Sequence, residues 1–425
     1  MTLGLLILAM LVLLFLRVPV AFSMLLPCLF YVSWSPDITL GVALQRTTAG
    51  LDSFPLLAVP LFILTGYVSN AGGLADRLFR FLLCLLKQVP GSLGYVNVLS
   101  SLLFSWMSGA AVADAAGLGS VLVPAMKKRG YDEGFALGLT GASSLIGPMM
   151  PPSIPAIIYA VAAGVSVGGL FFASILPALL LTVILCVAVA IYASRHPLPE
   201  TDDVTGARLA TTAYQAAPVL LTPVIILGGI LGGVTTPTEA AAVAAAYVMF
   251  LGGMFRSLSW QSLRASLQAT ATTTGSIMLI VAAASLFGWI IAREQGPQAV
   301  TYLLTHLTDN PYVFLLLVNI TLLIVGMLLE PVAALLIMVP ILLPVAREYG
   351  VDPLHLGVVM ILNLVIGLLT PPIGLVLFVL SSVTGASVQR VVLGTLPFLL
   401  PLFVTLVIVT YVPALSLWLP NLLLK

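Results

Sequence analysis

Apolar runs close to the length of a bilayer crossing recur from one end of this chain to the other: Leu3 to Leu16, Pro177 to Ser194, Val219 to Val234, Val313 to Leu329 and Val391 to Val412. A helix needs about 20 such residues to cross the hydrocarbon layer, and only a backbone that satisfies its own hydrogen bonds can remain there. With 60% hydrophobic and 7% charged residues and a mean hydropathy of +1.18, the chain has lipid as its solvent. The expected fold is an all-α polytopic membrane protein. A net charge of +1 offers no basic surface for nucleic acid. The longest polar stretch, Arg195 to Arg208, reads as a short connector. The N-terminal run has neither a positive n-region nor a small-residue cleavage site, so it reads as a first membrane helix and not a signal peptide.

The three cysteines, Cys28, Cys84 and Cys186, lie in apolar segments at spacings that suit neither a metal site nor a disulfide framework, and are expected to pack or face lipid. His196, His306 and His355 are isolated from one another near segment ends, which argues against a metal constellation.

Shifting the sequence against itself by 220 residues pairs Pro124 with Pro344, Gly130 with Gly350, Asp132 with Asp352 and Gly147 with Gly367. The same shift pairs Pro151 and Pro152 with Pro371 and Pro372, and Pro177 with Pro397. Leucine matches mean little in so apolar a chain, but prolines and glycines at one fixed offset predict two structural repeats, 1–210 and 211–425. Within them the expectation is a re-entrant hairpin at about 92–124 and a broken helix at about 133–163, then a hairpin at about 312–344 and a broken helix at about 353–384.

Lys and Arg gather on the cytoplasmic side of membrane proteins. Arg77, Arg80 and Lys87 precede the first hairpin and Lys127, Lys128 and Arg129 follow it, so both of its ends are expected inside; Asp309, Arg347 and Glu348 flank the second, whose ends are expected outside. About five full crossings per half then place twelve of the sixteen basic residues inside, adding Arg17, Arg195, Arg208, Arg256, Arg264 and Arg390. Arg46, Arg293, Arg347 and Lys425 stay outside. An odd number of crossings per half implies inverted repeats with both termini periplasmic.

Backbone breaks inside a membrane are tolerated only where protein or a water-filled cavity covers them. The run Gly147-Pro148-Met149-Met150-Pro151-Pro152-Ser153 cannot continue a helix, and neither can Gly367-Leu368-Leu369-Thr370-Pro371-Pro372. Broken helices at matching places in two halves are the best sequence pointer to a transport site. Hard-oxygen groups nearby suit an alkali cation, so one Na⁺ site is expected per repeat: Ser105, Ser108, Gly109, Ser143, Ser144, Gly147 and Pro148 in the first, and Gly326, Asn363, Gly367, Thr370 and Pro371 in the second. The hydroxyls could instead bond back to their own helices. Candidates for substrate contact or coupling are Pro151, Pro152 and Ser153 in the broken run, together with Asp114, Glu239, Arg293 and Glu330, because charge at membrane depth costs roughly 2.5 to 3.5 kcal/mol and is kept for a reason. For Glu239, after Thr235-Thr236-Pro237-Thr238, the alternative is an acid in the first turn of a helix beside a threonine cap. Arg293 with Glu294 could equally be a pair at a membrane boundary.

Five stretches together carry a family likeness: Leu51 to Phe62 (LDSFPLLAVPLF), Ser108 to Ala116 (SGAAVADAA), Pro151 to Tyr159 (PPSIPAIIY), Thr236 to Ala242 (TPTEAAA) and Leu369 to Gly374 (LTPPIG). Over nearly its whole length the chain resembles the large membrane subunit of tripartite ATP-independent periplasmic (TRAP) transporters. The resemblance implies an elevator mechanism in the bacterial inner membrane, Na⁺ as coupling ion, no organic cofactor, and an organic acid such as a C4-dicarboxylate or sialic acid as cargo. It also implies two partners, a periplasmic substrate-binding protein and a small four-helix membrane subunit; no four-helix unit is read at either end of this chain, so the latter is expected as a separate polypeptide. One departure is Ala110, where the family often has a serine after the hairpin-tip glycine. Competing readings are a stand-alone carboxylate carrier of the same architecture and a membrane scaffold without flux. No Ser–Lys or paired-Asp arrangement suits an intramembrane protease.

Overall fold

The computed structural model describes residues 3–196 and 209–423. Most of the connector expected over 195–208, with Arg208 and Lys425, lies outside the described residues. Among the described residues there is no strand. The helices in chain order are α1 (Leu3–Phe15), α2 (Val20–Trp34), α3 (Leu40–Ala49), α4 (Ala58–Ala71), α5 (Leu74–Leu86), α6 (Ser92–Ser108), α7 (Ala111–Lys128), α8 (Glu133–Ser144), α9 (Ile154–Ala163) and α10 (Val167–Arg195). There follow α11 (Leu209–Leu231), α12 (Pro237–Met254), α13 (Trp260–Arg293), α14 (Gly296–Leu307), α15 (Pro311–Leu328), α16 (Pro331–Glu348), α17 (Pro353–Gly367), α18 (Leu375–Thr384), α19 (Val388–Tyr411) and α20 (Ala414–Leu423). Eight helical segments among these residues are long and apolar enough to cross a membrane.

The order of elements from α6 to α10 recurs from α15 to α19, and the local chemistry recurs with it. Both second arms run through a proline, Pro124 in α7 and Pro344 in α16. They continue past these prolines to Lys128 and Glu348. Each then ends on a left-handed glycine, Gly130 with φ +79° and Gly350 with φ +71°, a conformation that costs a residue without Cβ little. Tyr131 N–H reaches back to Met126 O at 3.1 Å, and Val351 N–H to Ala346 O at 2.9 Å. The next helix is capped by an aspartate in both places: Asp132 accepts from Phe135 N–H at 2.9 Å and Asp352 from Leu354 N–H at 2.7 Å. Each cap satisfies an amide that the first helical turn cannot.

Helices α8 and α19 meet backbone to backbone. A Cβ on Gly138 of α8 would lie 2.7 Å from the carbonyl carbon of Gly394 in α19, and one on Gly394 would lie 2.9 Å from Gly134 Cα. Small residues four apart allow this approach, which replaces the hydrophobic drive that lipid cannot provide. Phe135 fills the space beside it, stacked on Tyr192 with ring centroids 3.5 Å apart and tilted against Phe398 at 5.6 Å.

Cross-contacts fix how the two broken helices lie. Tyr159 of α9 donates to Pro353 O, at the start of α17, at 2.6 Å. Leu369, at the other end of α17, and Leu380 of α18 pack on Gly141 of α8. The α8–α9 pair thus runs alongside the α17–α18 pair in the opposite sense.

Candidate functional site

The tip of the first helical pair is set by Gly109, at φ +61°. Its amide closes α6 on Ser105 O at 3.2 Å, and its missing Cβ leaves room for Pro152 O, which would otherwise stand 2.5 Å away. The tip is therefore seated on the proline-broken loop between α8 and α9. Just past it, the fully buried Asp114 accepts a hydrogen bond from Ser108 Oγ on Oδ1. Its Oδ2 has no hydrogen-bond partner and lies against Gly147, where a Cβ would collide with it. A buried carboxylate oxygen without a partner is costly, more so in a low-dielectric interior. A buried carboxyl with one free oxygen and a neutral loop are thus brought together at one point.

The loop itself is held from within. Ser153 Oγ donates to Pro148 O and accepts from Ala156 N–H at 3.2 Å, capping α9, whose positive N-terminal end faces the hairpin tip. The Pro151–Pro152 and Pro371–Pro372 bonds are both cis. Ser105 Oγ donates to Leu102 O at 2.5 Å, Ser144 Oγ to Gly141 O at 2.8 Å and Thr370 Oγ1 to Ile366 O at 2.9 Å. These three hydroxyls spend their protons on their own helices, which leaves oxygen lone pairs as their only offer to a ligand.

Ser143 is held by α6. It donates to Asn97 Oδ1 at 2.8 Å and accepts from Ser101 Oγ at 2.9 Å, while Asn97 Nδ2 donates to Thr140 Oγ1 at 2.7 Å. The second half has a counterpart: Asn363 Nδ2 donates to Asn319 Oδ1 at 2.8 Å, and Asn319 Nδ2 to Thr410 Oγ1 at 3.0 Å. Asn97, Ser101, Thr140, Asn319 and Thr410 were not singled out in the sequence, although each is a polar residue inside an apolar run. Gly326 and Gly367 touch through their backbones, a Cβ on Gly367 standing 2.6 Å from Gly326 Cα.

The remaining acids and the arginine sit elsewhere. Glu330 caps α16, accepting from Ala333 N–H at 3.4 Å. Glu239 forms a capping box with Thr236, its Oε2 accepting from Thr236 N–H at 2.7 Å. Arg293 ends α13 with its guanidinium 5.7 Å from the Trp289 ring, which Arg46 also approaches at 5.4 Å. Neighbouring Glu294 accepts from Tyr31 Oη. At the far end of α8, Glu133 bridges Lys127 and Arg390, the latter at 2.7 Å; the hydrogen bond from Lys127 is the first reason its carboxyl is held below the ordinary glutamate range, followed by that from Arg390.

A cavity of about 160 Å³ adjoins the hairpin tip, lined by Ser108, Ala110 and Ile154 on one side and by Tyr67, Asn70 and Thr273 on the other. No lysine, arginine or histidine lines it.

Residues 7–415 match the family model described as "Tripartite ATP-independent periplasmic transporter, DctM component". The chain is 43% identical over 413 residues to the sialic acid TRAP transporter large permease protein SiaM of Vibrio cholerae, covering 97% of each. It is 41% identical over 389 residues to the C4-dicarboxylate TRAP transporter large permease protein DctM of Pseudomonas aeruginosa, covering 91% of each. Among solved structures, the YdaH transporter of Alcanivorax borkumensis shares the fold, with a TM-score of 0.64 at 17% identity over 87% of each chain.

Proposed function

Since this chain belongs to the DctM-component family of tripartite ATP-independent periplasmic transporters, we propose that it imports an organic acid by Na⁺ symport, receiving the acid from a periplasmic binding protein. It is a multi-pass permease subunit of the inner membrane and not an enzyme. A small four-helix membrane subunit completes the assembly. The two relatives are named for a sialic acid and for C4-dicarboxylates, and a carboxylate is what these cargoes share.

The observation that carries the proposal is the meeting of Ser108, Asp114 and Gly147 beside a cavity without basic side chains. An anion entering that cavity has no protein cation to neutralise it. A Na⁺ held by the free Oδ2 of Asp114, the Ser108 hydroxyl and carbonyls of the broken loop would supply the missing charge. The α9 N-terminus adds a favourable dipole. The second-half site would use Gly326 and Gly367, whose backbones touch, with Thr370. Driving force then follows from the membrane potential, about 2.3 kcal/mol per net charge per 100 mV.

Movement is by an elevator in which the two helical pairs and the two broken helices travel together, as halves of two inverted repeats, 1–210 and 211–425. The antiparallel lie of α8–α9 and α17–α18 supports that arrangement. So does the charge distribution: Glu133 joins Lys127 to Arg390, Arg77 stacks on Phe255 beside Arg256, and Arg46 and Arg293 share Trp289. Each contact joins residues that the positive-inside rule puts on one side.

The test is uptake of radiolabelled organic acids into proteoliposomes holding this chain and its small subunit, with and without the binding protein, under inward Na⁺ or K⁺ gradients. Uptake requiring both Na⁺ and the binding protein is the expected result. Uptake indifferent to Na⁺ would refute symport, and uptake without the binding protein would make the chain a stand-alone carrier.

A further inference from the structure

The cavity at the hairpin tip has a second wall that the transport site does not account for. Opposite Ser108, Tyr67 Oη and Thr273 Oγ1 are hydrogen-bonded to each other at 3.1 Å, joining α4 to α13. Thr273 belongs to a polar run, Thr270 to Ser276, in the middle of a 34-residue helix that is otherwise apolar enough to span the membrane. Polar residues at such a place normally face a partner or a water-filled path. Asn70, one helical turn beyond Tyr67, lines this cavity and also a second one of about 280 Å³, bounded by Gly73, Asp76, Gly117 and Ser120. Ala116 lines both as well. Asn70 Oδ1 stands 3.5 Å from where a Cβ on Gly117 would be, so its amide lies against the backbone of α7 between the two cavities.

We infer that Tyr67, Asn70 and Thr273 determine which carboxylate is carried: they hydrogen-bond the anion from the wall facing Ser108. The inference rests on the carboxylate-transport reading above and adds residues to it. The chemistry of the wall limits the cargo. An amide and two hydroxyls both donate and accept, so they suit the hydroxyl, amide or carboxylate oxygens of an acid without fixing its charge. Sites built to pair polar groups reject analogues that leave those groups unpaired, whereas purely apolar sites discriminate weakly.

The experiment compares uptake of a panel of C4-dicarboxylates and sugar acids in proteoliposomes of the full assembly, for the unaltered chain and for Asn70→Ala, Asn70→Leu, Tyr67→Phe and Thr273→Val. Each loss of one neutral hydrogen bond is expected to shift the relative rates of the two best acids by about three- to tenfold, with half-saturation by Na⁺ unchanged. A purely structural role would lower both rates together. If Asn70→Leu fails to fold, by size-exclusion profile, the three milder variants carry the comparison. Unchanged ratios in all variants would overturn the inference, while an unaltered chain that transports no acid would overturn the transport reading itself.

Discussion

Gly326 of α15 and Gly367 at the end of α17 are in backbone contact: a Cβ on Gly367 would stand 2.6 Å from Gly326 Cα, and one on Gly326 would stand 3.0 Å from Leu364 Cα. Neither neighbour is a flexible side-chain end, so neither can give way cheaply. Overpacking of this kind costs about 1 to 3 kcal/mol. Gly367→Ala is therefore expected to lower the thermal midpoint of the detergent-solubilised chain by several degrees. An unchanged midpoint would mean that the two helices are not held this closely.

Ser108→Ala removes the one hydrogen bond that Asp114 receives from a side chain. A bond to a charged group is worth about 1.5 to 3 kcal/mol, and half-saturation by Na⁺ should rise about tenfold or more. Asp114→Asn should abolish Na⁺-driven uptake while leaving the protein folded, since the amide occupies the same volume. Wild-type Na⁺ dependence in both variants would remove Asp114 from the ion site.

Ala110 lines the cavity at the hairpin tip, one residue past Gly109. Ala110→Ser places a hydroxyl there with little added bulk. If hydroxyl oxygens at the tip hold the cation, Na⁺ half-saturation should fall in this variant, by up to about tenfold for one added neutral ligand. A rise would show that the added group competes with the ion.

Asn319 sits between Asn363 and Thr410. Asn319→Leu strands both partners in the bundle, yet hydrogen bonds inside membrane proteins average only about 0.6 kcal/mol and reach about 1.7. The expected loss for the two bonds is about 1 to 3 kcal/mol in equilibrium unfolding. A loss well above that range would identify the chain of amides as more than a pair of tertiary contacts.

Glu133 is the only bridge between the end of α7 and α19 among the described residues that is built from ion pairs. Its partners are largely solvent-exposed, so Glu133→Gln should cost no more than about 1 kcal/mol at neutral pH. Because the folded carboxyl titrates below its ordinary value, the advantage of the unaltered chain is complete above about pH 4.3 and fades as pH falls through the lower folded value. Thermal unfolding of both proteins between pH 7 and 3 should converge at the acid end.

The sequence made the breaks legible because proline and glycine act locally: Pro151, Pro152, Pro371 and Pro372 forbid helix wherever the rest of the chain lies. Asp132 and Asp352 could be read as equivalent for the same reason, since a cap concerns only its own first turn. Pro124 and Pro344 show the limit of that rule, because a proline inside a membrane helix can be absorbed without ending it. What could not be read was direction. Ser108 ends α6 and Ser143 lies in α8, and only packing shows that Ser143 meets Asn97. Tyr67, Asn70 and Thr273 escaped because their meaning depends on elements far apart in the chain. The threonine run in α13 was the one local sign of them.

The glycine contacts divide the molecule mechanically. Where α8 lies on α19 and α15 on α17, atoms of two backbones interlock, and sliding one past the other would drive carbonyl groups through Cα atoms. Where α4 faces α7, two chambers interrupt the contact, so dispersion attraction along that plane is already partly forfeited. Along that face the close backbone contact is the one Gly66 of α4 makes with Ser108 at the end of α6, where a Cβ would stand 3.2 Å from Ser108 Cα.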